Sequence, residues 1–278
     1  MVLDIIKKRE EFTEPHHLLK TSDGQILFIR EWKPPSPSNI AILIFHGITA
    51  YSGPYGEIVS HPLAKAGYNV FGLDLRGHGL SDGIRGDYPS KERLLNDLEE
   101  TILFVKEKIP TMILLGHSLG VVTAGIALNH YSKQIDGLIL LSAARTMREG
   151  IYQKPSFTAK LKILFSSIFS PSKPVIKYYR DGITGLDDPL RNFTYTLRFM
   201  RILSAKDLVF PETVNIPVLV GVGDQDELFE VEAARALLDE INSKNKKFLI
   251  LKGAKHAEMP EGVFDELIEW LDSNFKRG

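Results

Sequence analysis

Short, almost wholly apolar runs recur along the chain and limit its possible folds more than any other feature. They lie at 41–47 (AILIFHG), 69–73 (NVFGL), 112–115 (MILL), 137–143 (GLILLSA), 217–223 (PVLVGVG) and 247–253 (KFLILKG). Each is too short for a typical helix and lacks the alternation of a strand with one wet face. A strand that is apolar on both sides is covered on both sides, as in a parallel sheet between layers of helices. The segments between the runs supply those helices. Residues 55–65, 119–130, 231–242 and 262–274 read as helical. A longer helix over 92–108 sets Leu94, Leu95, Leu98, Ile102 and Val105 on one side. The last helix places Phe264, Leu267, Ile268 and Leu271 on one face. Near the N-terminus, strands at 18–20 and 26–30 flank a Ser-Asp-Gly turn and read as a hairpin. The fold class is therefore α/β, with a mostly parallel central sheet covered by helices.

Residues 145–210 break this rhythm. They contain no clear buried strand. Phe157, Leu161, Leu164, Phe165, Ile168 and Phe169 recur at helical spacing, as do Leu197, Met200, Leu203 and Leu208. The segment reads as a helical cap inserted into a core of 1–144 and 211–278. A chain of 278 residues suits one such domain. Lys and Arg number 34 against 35 Asp and Glu, so no basic excess points to nucleic acid. The absence of cysteine excludes thiol catalysis and cysteine-held metals. The first residues, MVLDIIKKREEF, are too charged for a secretory signal, and no apolar run is long enough to cross a bilayer. A cytoplasmic location is the expectation.

Chemistry enters at 112–128, MILLGHSLGVVTAGIAL. Ser118 sits where a strand turns into a helix, between Gly116 and Gly120. A serine hydroxyl needs a fixed, exposed position and a neighbouring base to act as a nucleophile, and a tight strand-to-helix turn supplies the position. His256, in KGAKHAEMP after the last apolar run, is the base expected on the same sheet edge, because loops after parallel strands gather there. His16, His17, His61 and His130 belong elsewhere. The acid that orients the imidazole lies in GDQDELF, where spacing leaves Asp224 and Asp226 both open. An oxyanion site needs backbone donors. Leu119 N–H follows the nucleophile, and Ile48 N–H lies beyond His46-Gly47. His46 is expected to brace that loop. Asp74, Arg76 and His78 are expected to order the glycine-rich stretch 74–83. Neither phosphate-loop nor dinucleotide glycine spacing is present, and no compact metal-ligand motif occurs. No cofactor or metal is expected.

Four segments resemble the monoglyceride lipase and lysophospholipase group of the α/β-hydrolase superfamily. They are FHGITAYSGPY (45–55), DLRGHGLSDG (74–83), GHSLG (116–120), and GDQDELF taken with GAKHAEMP. DDPL at 187–190 also resembles a cap segment of that group. The resemblance implies an α/β-hydrolase fold and a serine esterase. It assigns Ser118 as nucleophile, His256 as base, Asp226 rather than Asp224 as acid, and Ile48 and Leu119 as oxyanion donors. Tyr51 and Pro54 depart from the group's usual histidine and arginine, beside the approach to the site. The implied substrate is a single-chain lipid ester, most directly monoacylglycerol. A short-chain carboxylesterase or lysophospholipase is the alternative, with a serine peptidase or a non-catalytic binding relative behind it. Phe157, Leu161, Phe165, Ile168, Phe169 and Met200 are the candidates for lining an acyl slot. The same helix, facing outward beside Lys160, Lys162 and Lys173, would touch a membrane or micelle surface.

Overall fold

The computed structural model describes residues 4–151, 156–180 and 183–276. A short helix, α1 (Ile5–Glu10), precedes the hairpin of β1 (His16–Lys20) and β2 (Ile26–Trp32). Then follow β3 (Ile40–Phe45), α2 (His61–Lys65), β4 (Asn69–Leu73), α3 (Lys91–Lys106), β5 (Thr111–His117), α4 (Gly120–Tyr131) and β6 (Gly137–Leu141). The segment after β6 holds α5 (Phe157–Phe169), β7 (Ile176–Lys177), β8 (Thr194–Tyr195) and α6 (Leu197–Ile202). The chain closes with β9 (Val218–Gly223), α7 (Val231–Glu240), β10 (Lys246–Leu251) and α8 (Asp265–Asn274).

Eight strands form one sheet in the order β1-β2-β4-β3-β5-β6-β9-β10. β2 runs antiparallel to both β1 and β4, and the remaining pairs are parallel. Successive side chains of a strand point to opposite faces. Leu43, Leu114, Leu140 and Val220 thus join one apolar layer with Leu98 of α3, Ala124 of α4 and Leu237 of α7. Their neighbours Ile42, Ile44, Ile113, Ile139 and Leu219 join the opposite layer with Leu63 of α2 and Leu267 and Leu271 of α8. Two covered faces explain the unbroken apolar runs. Truncating one of these fully buried leucines to alanine costs about 2–5 kcal/mol.

Local structure departs from the sequence expectation in three places. The helix expected over 55–65 is divided into a wide turn at Gly56–Ser60 and the single short helix α2. Pro62 stands in the first turn of α2, where its missing N–H costs no helical bond. The segment between β6 and β9, read as purely helical, also carries the two-residue ladder β7–β8. Finally, α1 forms ahead of the hairpin, capped by the Asp4 carboxylate on Lys7 N–H. No helix among the described residues is long and apolar enough to cross a membrane.

Candidate active site

The loops that follow β3, β5, β9 and β10 meet at the carboxyl edge of the sheet, and the candidate residues lie on them. Three non-glycine residues here hold left-handed backbone: Thr49 (φ 65°), Ser118 (φ 56°) and Ser142 (φ 50°). Such residues pay a steric cost that the surrounding structure must offset. At Ser118 the offset is visible. Its N–H donates to Leu141 O at 3.1 Å on the adjacent strand, and Val121 N–H donates to its carbonyl at 3.0 Å. The flanking glycines serve close packing. A Cβ on Gly116 would stand 2.5 Å from Gly120 O, and one on Gly120 would stand 2.0 Å from Phe45 O. A Cβ on Gly47 would meet Ser118 Cβ at 3.0 Å, so the loop after β3 passes directly beside the serine.

His256 Nε2 lies 3.0 Å from Ser118 Oγ, and His256 Nδ1 lies 3.1 Å from Asp226 Oδ2. A carboxylate only accepts, so Nδ1 carries the hydrogen and Nε2 is left to accept from the serine hydroxyl. The other carboxylate oxygen, Asp226 Oδ1, accepts N–H from Leu228 at 2.8 Å and from Phe229 at 3.1 Å. Burial disfavours the charge on Asp226, but the hydrogen bond and charge of His256 and the Leu228 N–H outweigh it. They hold the carboxyl below its usual range. Asp224 points elsewhere. Its Oδ1 accepts Gly253 N–H at 2.7 Å and closes the turn between the ends of β9 and β10. The N–H groups of Ile48 and Leu119 have no hydrogen-bond acceptor among the described residues.

A second set of contacts fixes the loops around this relay. Gly47 N–H donates to Tyr55 OH at 2.8 Å, and Tyr55 OH donates to His117 Nδ1 at 2.8 Å. His117 Nε2–H then donates to His256 O at 2.8 Å. Burial, followed by the nearby charge of His256, pushes the His117 imidazole down to about 3. His117 therefore stays neutral and keeps this donor and acceptor pattern. Glu227 adds a tie that the sequence did not signal. Its Oε2 accepts His256 N–H at 3.0 Å while its Oε1 pairs with Arg180 at 3.2 Å. Arg148 likewise donates to Asp226 O at 3.1 Å and to Glu230 at 2.5 Å. His46 donates from Nδ1 to Gly47 O at 2.9 Å and accepts Leu75 N–H on Nε2 at 3.2 Å, so it braces the loop. Asp74 accepts Ser52 N–H at 2.6 Å and Leu80 N–H at 2.7 Å, joining the two glycine-rich loops. Arg76 locks onto Asp97 through two 2.8 Å bonds, and His78 Nδ1–H donates to Arg76 O at 3.1 Å.

A cavity of about 350 Å³ opens at Ser118 and His256. Ile48, Ala50, Pro54, Ile58, Ile183 and Leu228 give it apolar wall, and Tyr178, Arg180 and Arg191 enter from the segment between β6 and β9. None of the six residues expected to line an acyl slot is on this wall. Phe157, Leu161, Phe165, Ile168 and Phe169 are exposed, from 41% at Leu161 to 75% at Phe157, while Met200 packs half-buried against the core. The less exposed side of α5 carries Ala159, Ile163, Ser166 and Ser167 instead. Helical spacing identifies an apolar stripe; it does not say which way the stripe faces. Lys160, Lys162 and Lys173 are exposed with it.

Known proteins are similar to this chain over most of their length. A rat monoglyceride lipase is 27% identical, with 92% of this chain and 89% of that protein covered. A Paleococcus ferrophilus monoacylglycerol lipase structure superposes with TM-score 0.69 at 25% identity, covering 90% and 99% of the two chains. A soluble variant of the Saccharomyces cerevisiae monoglyceride lipase, solved with a substrate analog, gives TM-score 0.76 at 20% identity over 95% and 96%. The family model described as Hydrolase_4, serine aminopeptidase S33, matches residues 36–262, and with its α/β-hydrolase fold the chain belongs to that family.

Proposed function

We propose that the protein is a serine ester hydrolase that cleaves monoacylglycerol to glycerol and fatty acid through an acyl-enzyme. The observation that carries this is the continuous relay Ser118–His256–Asp226 opening onto a single cavity. His256 Nε2 takes the hydroxyl proton as Ser118 Oγ attacks the ester carbonyl. Asp226 keeps the imidazole in the required tautomer and stabilises its cation. The N–H groups of Ile48 and Leu119 receive the negative oxygen of the tetrahedral intermediate. His256 then gives its proton to the departing alcohol. Water attacks the acyl-enzyme with the roles reversed. No cofactor enters this sequence.

The substrate class rests on the relatives and on cavity size. A volume of about 350 Å³ sits near the lower end of the range of about 300–1,000 Å³ for ligand pockets. It favours one acyl chain over two or three. An aminopeptidase would need to attract an α-ammonium group, and the largely buried Arg191 in this cavity repels one. Residues 145–210 act as the cap over the core of 1–144 and 211–278. The exposed apolar face of α5, flanked by Lys160, Lys162 and Lys173, makes transient contact with a lipid surface. Labelling with a fluorophosphonate and peptide mapping tests the nucleophile. Modification of a serine other than Ser118 would refute the assignment. kcat/KM over mono-, di- and triacylglycerols tests the substrate class, and equal rates on all three would overturn the single-chain restriction.

A further inference from the structure

The loop after β3 carries the Ile48 N–H between two peptide planes that tyrosine hydroxyls hold. Gly47, Ile48 and Thr49 line the cavity with Ser118. Gly47 O accepts His46 Nδ1–H at 2.9 Å and Ala50 N–H at 3.3 Å. In a trans peptide the next N–H points opposite to the carbonyl, so Ile48 N–H is turned away from both donors. One peptide earlier, Gly47 N–H donates to Tyr55 OH at 2.8 Å. One peptide later, Thr49 N–H donates to Tyr195 OH at 2.7 Å. Tyr55 follows closely in the chain, whereas Tyr195 comes from β8, in the segment between β6 and β9.

Thr49 depends on that outside support. It is a β-branched residue at φ 65°, a conformation that persists only where neighbours over-determine it. Its N–H goes to Tyr195 OH, and its carbonyl accepts Asn192 N–H at 3.3 Å. Both partners lie within four residues of each other in the same inserted segment. Tyr195 is itself fixed. It is fully buried, its ring stacks on Phe199 with centroids 4.8 Å apart, and its hydroxyl hydrogen goes to Asn192 O at 2.8 Å. Burial pushes the hydroxyl pKa up, so it stays protonated and keeps a lone pair for Thr49 N–H. The stretch is anchored to the core on either side: Asn192 Nδ2–H donates to Gly77 O at 2.7 Å, and Thr196 N–H to Gly86 O at 3.0 Å.

We propose that Tyr195 is a positioning residue for the oxyanion site: its hydroxyl holds the Ile48–Thr49 peptide, and through it keeps Ile48 N–H aimed at the negative oxygen that forms beside Ser118. This rests on the ester-hydrolase reading above and gives the inserted segment a second duty, since it completes the catalytic edge as well as covering it. Donors fixed in advance stabilise the transition state because nothing must reorganise as the charge develops. Without the Tyr195 hydroxyl the Thr49 peptide is free to rotate and Ile48 N–H turns with it. The loss falls on rate and not on substrate affinity, because the substrate carbonyl gains its charge only in the transition state.

The test compares Tyr195→Phe with the parent on 1-lauroylglycerol below its aggregation concentration, with folding checked by circular dichroism. kcat should fall about 10- to 100-fold with KM nearly unchanged, short of the cost of about 100- to 1,000-fold for deleting an oxyanion donor outright. Two inhibitors separate positioning from general disruption. Dodecyl trifluoromethyl ketone takes Ser118 Oγ onto its carbonyl carbon; the hydroxyl proton goes to His256 and the carbonyl oxygen becomes the anion. The ether 1-O-dodecylglycerol fills the cavity without a carbonyl. Tyr195→Phe should weaken the ketone in proportion to kcat/KM and leave the ether as it was. Equal weakening of both inhibitors, a loss confined to KM, or an unchanged kcat would each overturn the positioning role. If Tyr195→Phe does not fold, Phe199→Leu decides: it keeps the hydroxyl but loosens the ring beneath it, and should show the same split at smaller size, while a uniform loss would refute the proposal. A parent that neither cleaves the ester nor adds to the ketone would instead defeat the hydrolase reading, and the positioning role with it. A parent that does both, with a variant that matches it, defeats the positioning role alone.

Discussion

The sheet edge around Ser118 and the outer face of α5 use polar and apolar groups in opposite ways. At the edge, polar side chains are buried and almost every one has a partner. His117 and Asp74 each hold two backbone or side-chain groups and Asp226 holds three, and the left-handed backbone of Ser118 is pinned from both neighbouring elements. On α5, large apolar side chains meet water while the less exposed side carries Ala159, Ile163, Ser166 and Ser167. The segment that carries α5 is tethered to the core elsewhere. Tyr195 OH receives Thr49 N–H at 2.7 Å, Thr196 and Arg198 both bond Asp87 at 2.7 Å, and Asn192 donates to Gly77 O at 2.7 Å. The difference separates a site whose geometry is over-determined from a helix whose outer surface is covered by nothing among the described residues. Substitutions in the first should act steeply on chemistry; those in the second should act only when a lipid surface is present.

The steepest effects test the relay. Ser118→Ala should reduce ester hydrolysis by about 10⁴- to 10⁶-fold, with an unchanged circular dichroism spectrum. Asp226→Asn should cost about 10⁴-fold, because the imidazole loses its required tautomer and the partner of its cation. Asp224→Asn removes only a turn-closing bond to Gly253 and should cost less than about tenfold, in keeping with one lost hydrogen bond. Rates for the three variants rank the roles, and a larger loss at Asp224 would move the acid there.

A smaller effect is expected at Glu227, which ties the sheet edge to Arg180 in the segment between β6 and β9. Glu227→Ala leaves the His256 N–H without its acceptor and Arg180 without this partner, and kcat should fall about 10-fold. Glu227→Gln keeps an acceptor for the N–H and should recover most of the loss. The split distinguishes positioning of the base from general loss of charge. Identical losses in both variants would assign Glu227 to the ion pair with Arg180 alone.

The legibility of the two regions follows from the same contrast. The apolar runs announced the parallel sheet, because a strand covered on both faces is predominantly apolar on both. Ser118, Asp226 and His256 were readable because loops after parallel strands converge and because a nucleophile turn demands small neighbours. The choice of Asp226 over Asp224 needed the family resemblance; spacing does not reveal that one carboxylate bonds Gly253 and the other His256. Glu227 and Arg180 carried no local signal, since they pair across elements that only the tertiary fold brings together. The α5 stripe was read at the right residues, but its direction is a property of packing. Two-residue ladders such as β7–β8 lie below any periodicity.

Acid sensitivity tests how tightly the sheet edge is built, with a moderate expected effect. Burial pushes the imidazoles of His46, His78 and His117 down, His117 to about 3. An unfolded histidine titrates near about 6.5. Between these limits the unfolded chain binds protons that the folded chain refuses, so stability falls as pH falls below about 6.5. Each histidine that remains neutral contributes a slope of about 1.4 kcal/mol per pH unit. Urea denaturation from pH 8 to 5 measures that slope. His117→Gln, which donates and accepts without titrating, should flatten it by about one proton. An unchanged slope would mean that His117 takes up its proton in the folded state.

The smallest effects belong to α5, and they decide what its exposed face is for. Phe165→Ser and Phe169→Ser together remove two side chains that are 62% and 74% exposed. Neither lines the cavity, so the chain-length profile on dissolved monoacylglycerols should keep its shape. On vesicles the outcome should differ. Burying a phenylalanine fully is worth about 1.5–3 kcal/mol, and shallow insertion recovers a fraction of that. Loss of both should therefore lower the vesicle rate by about tenfold at limiting lipid, and the deficit should vanish as lipid is raised and binding saturates. Exchanging Lys160, Lys162 and Lys173 for glutamine should add a loss that appears only with anionic vesicles and fades at high salt. A parallel fall on dissolved and vesicle substrates would instead place these phenylalanines on the path of the acyl chain, through an opening of the cap that turns α5 inward. The comparison between a fixed sheet edge and an uncovered helix would then hold only for the closed arrangement.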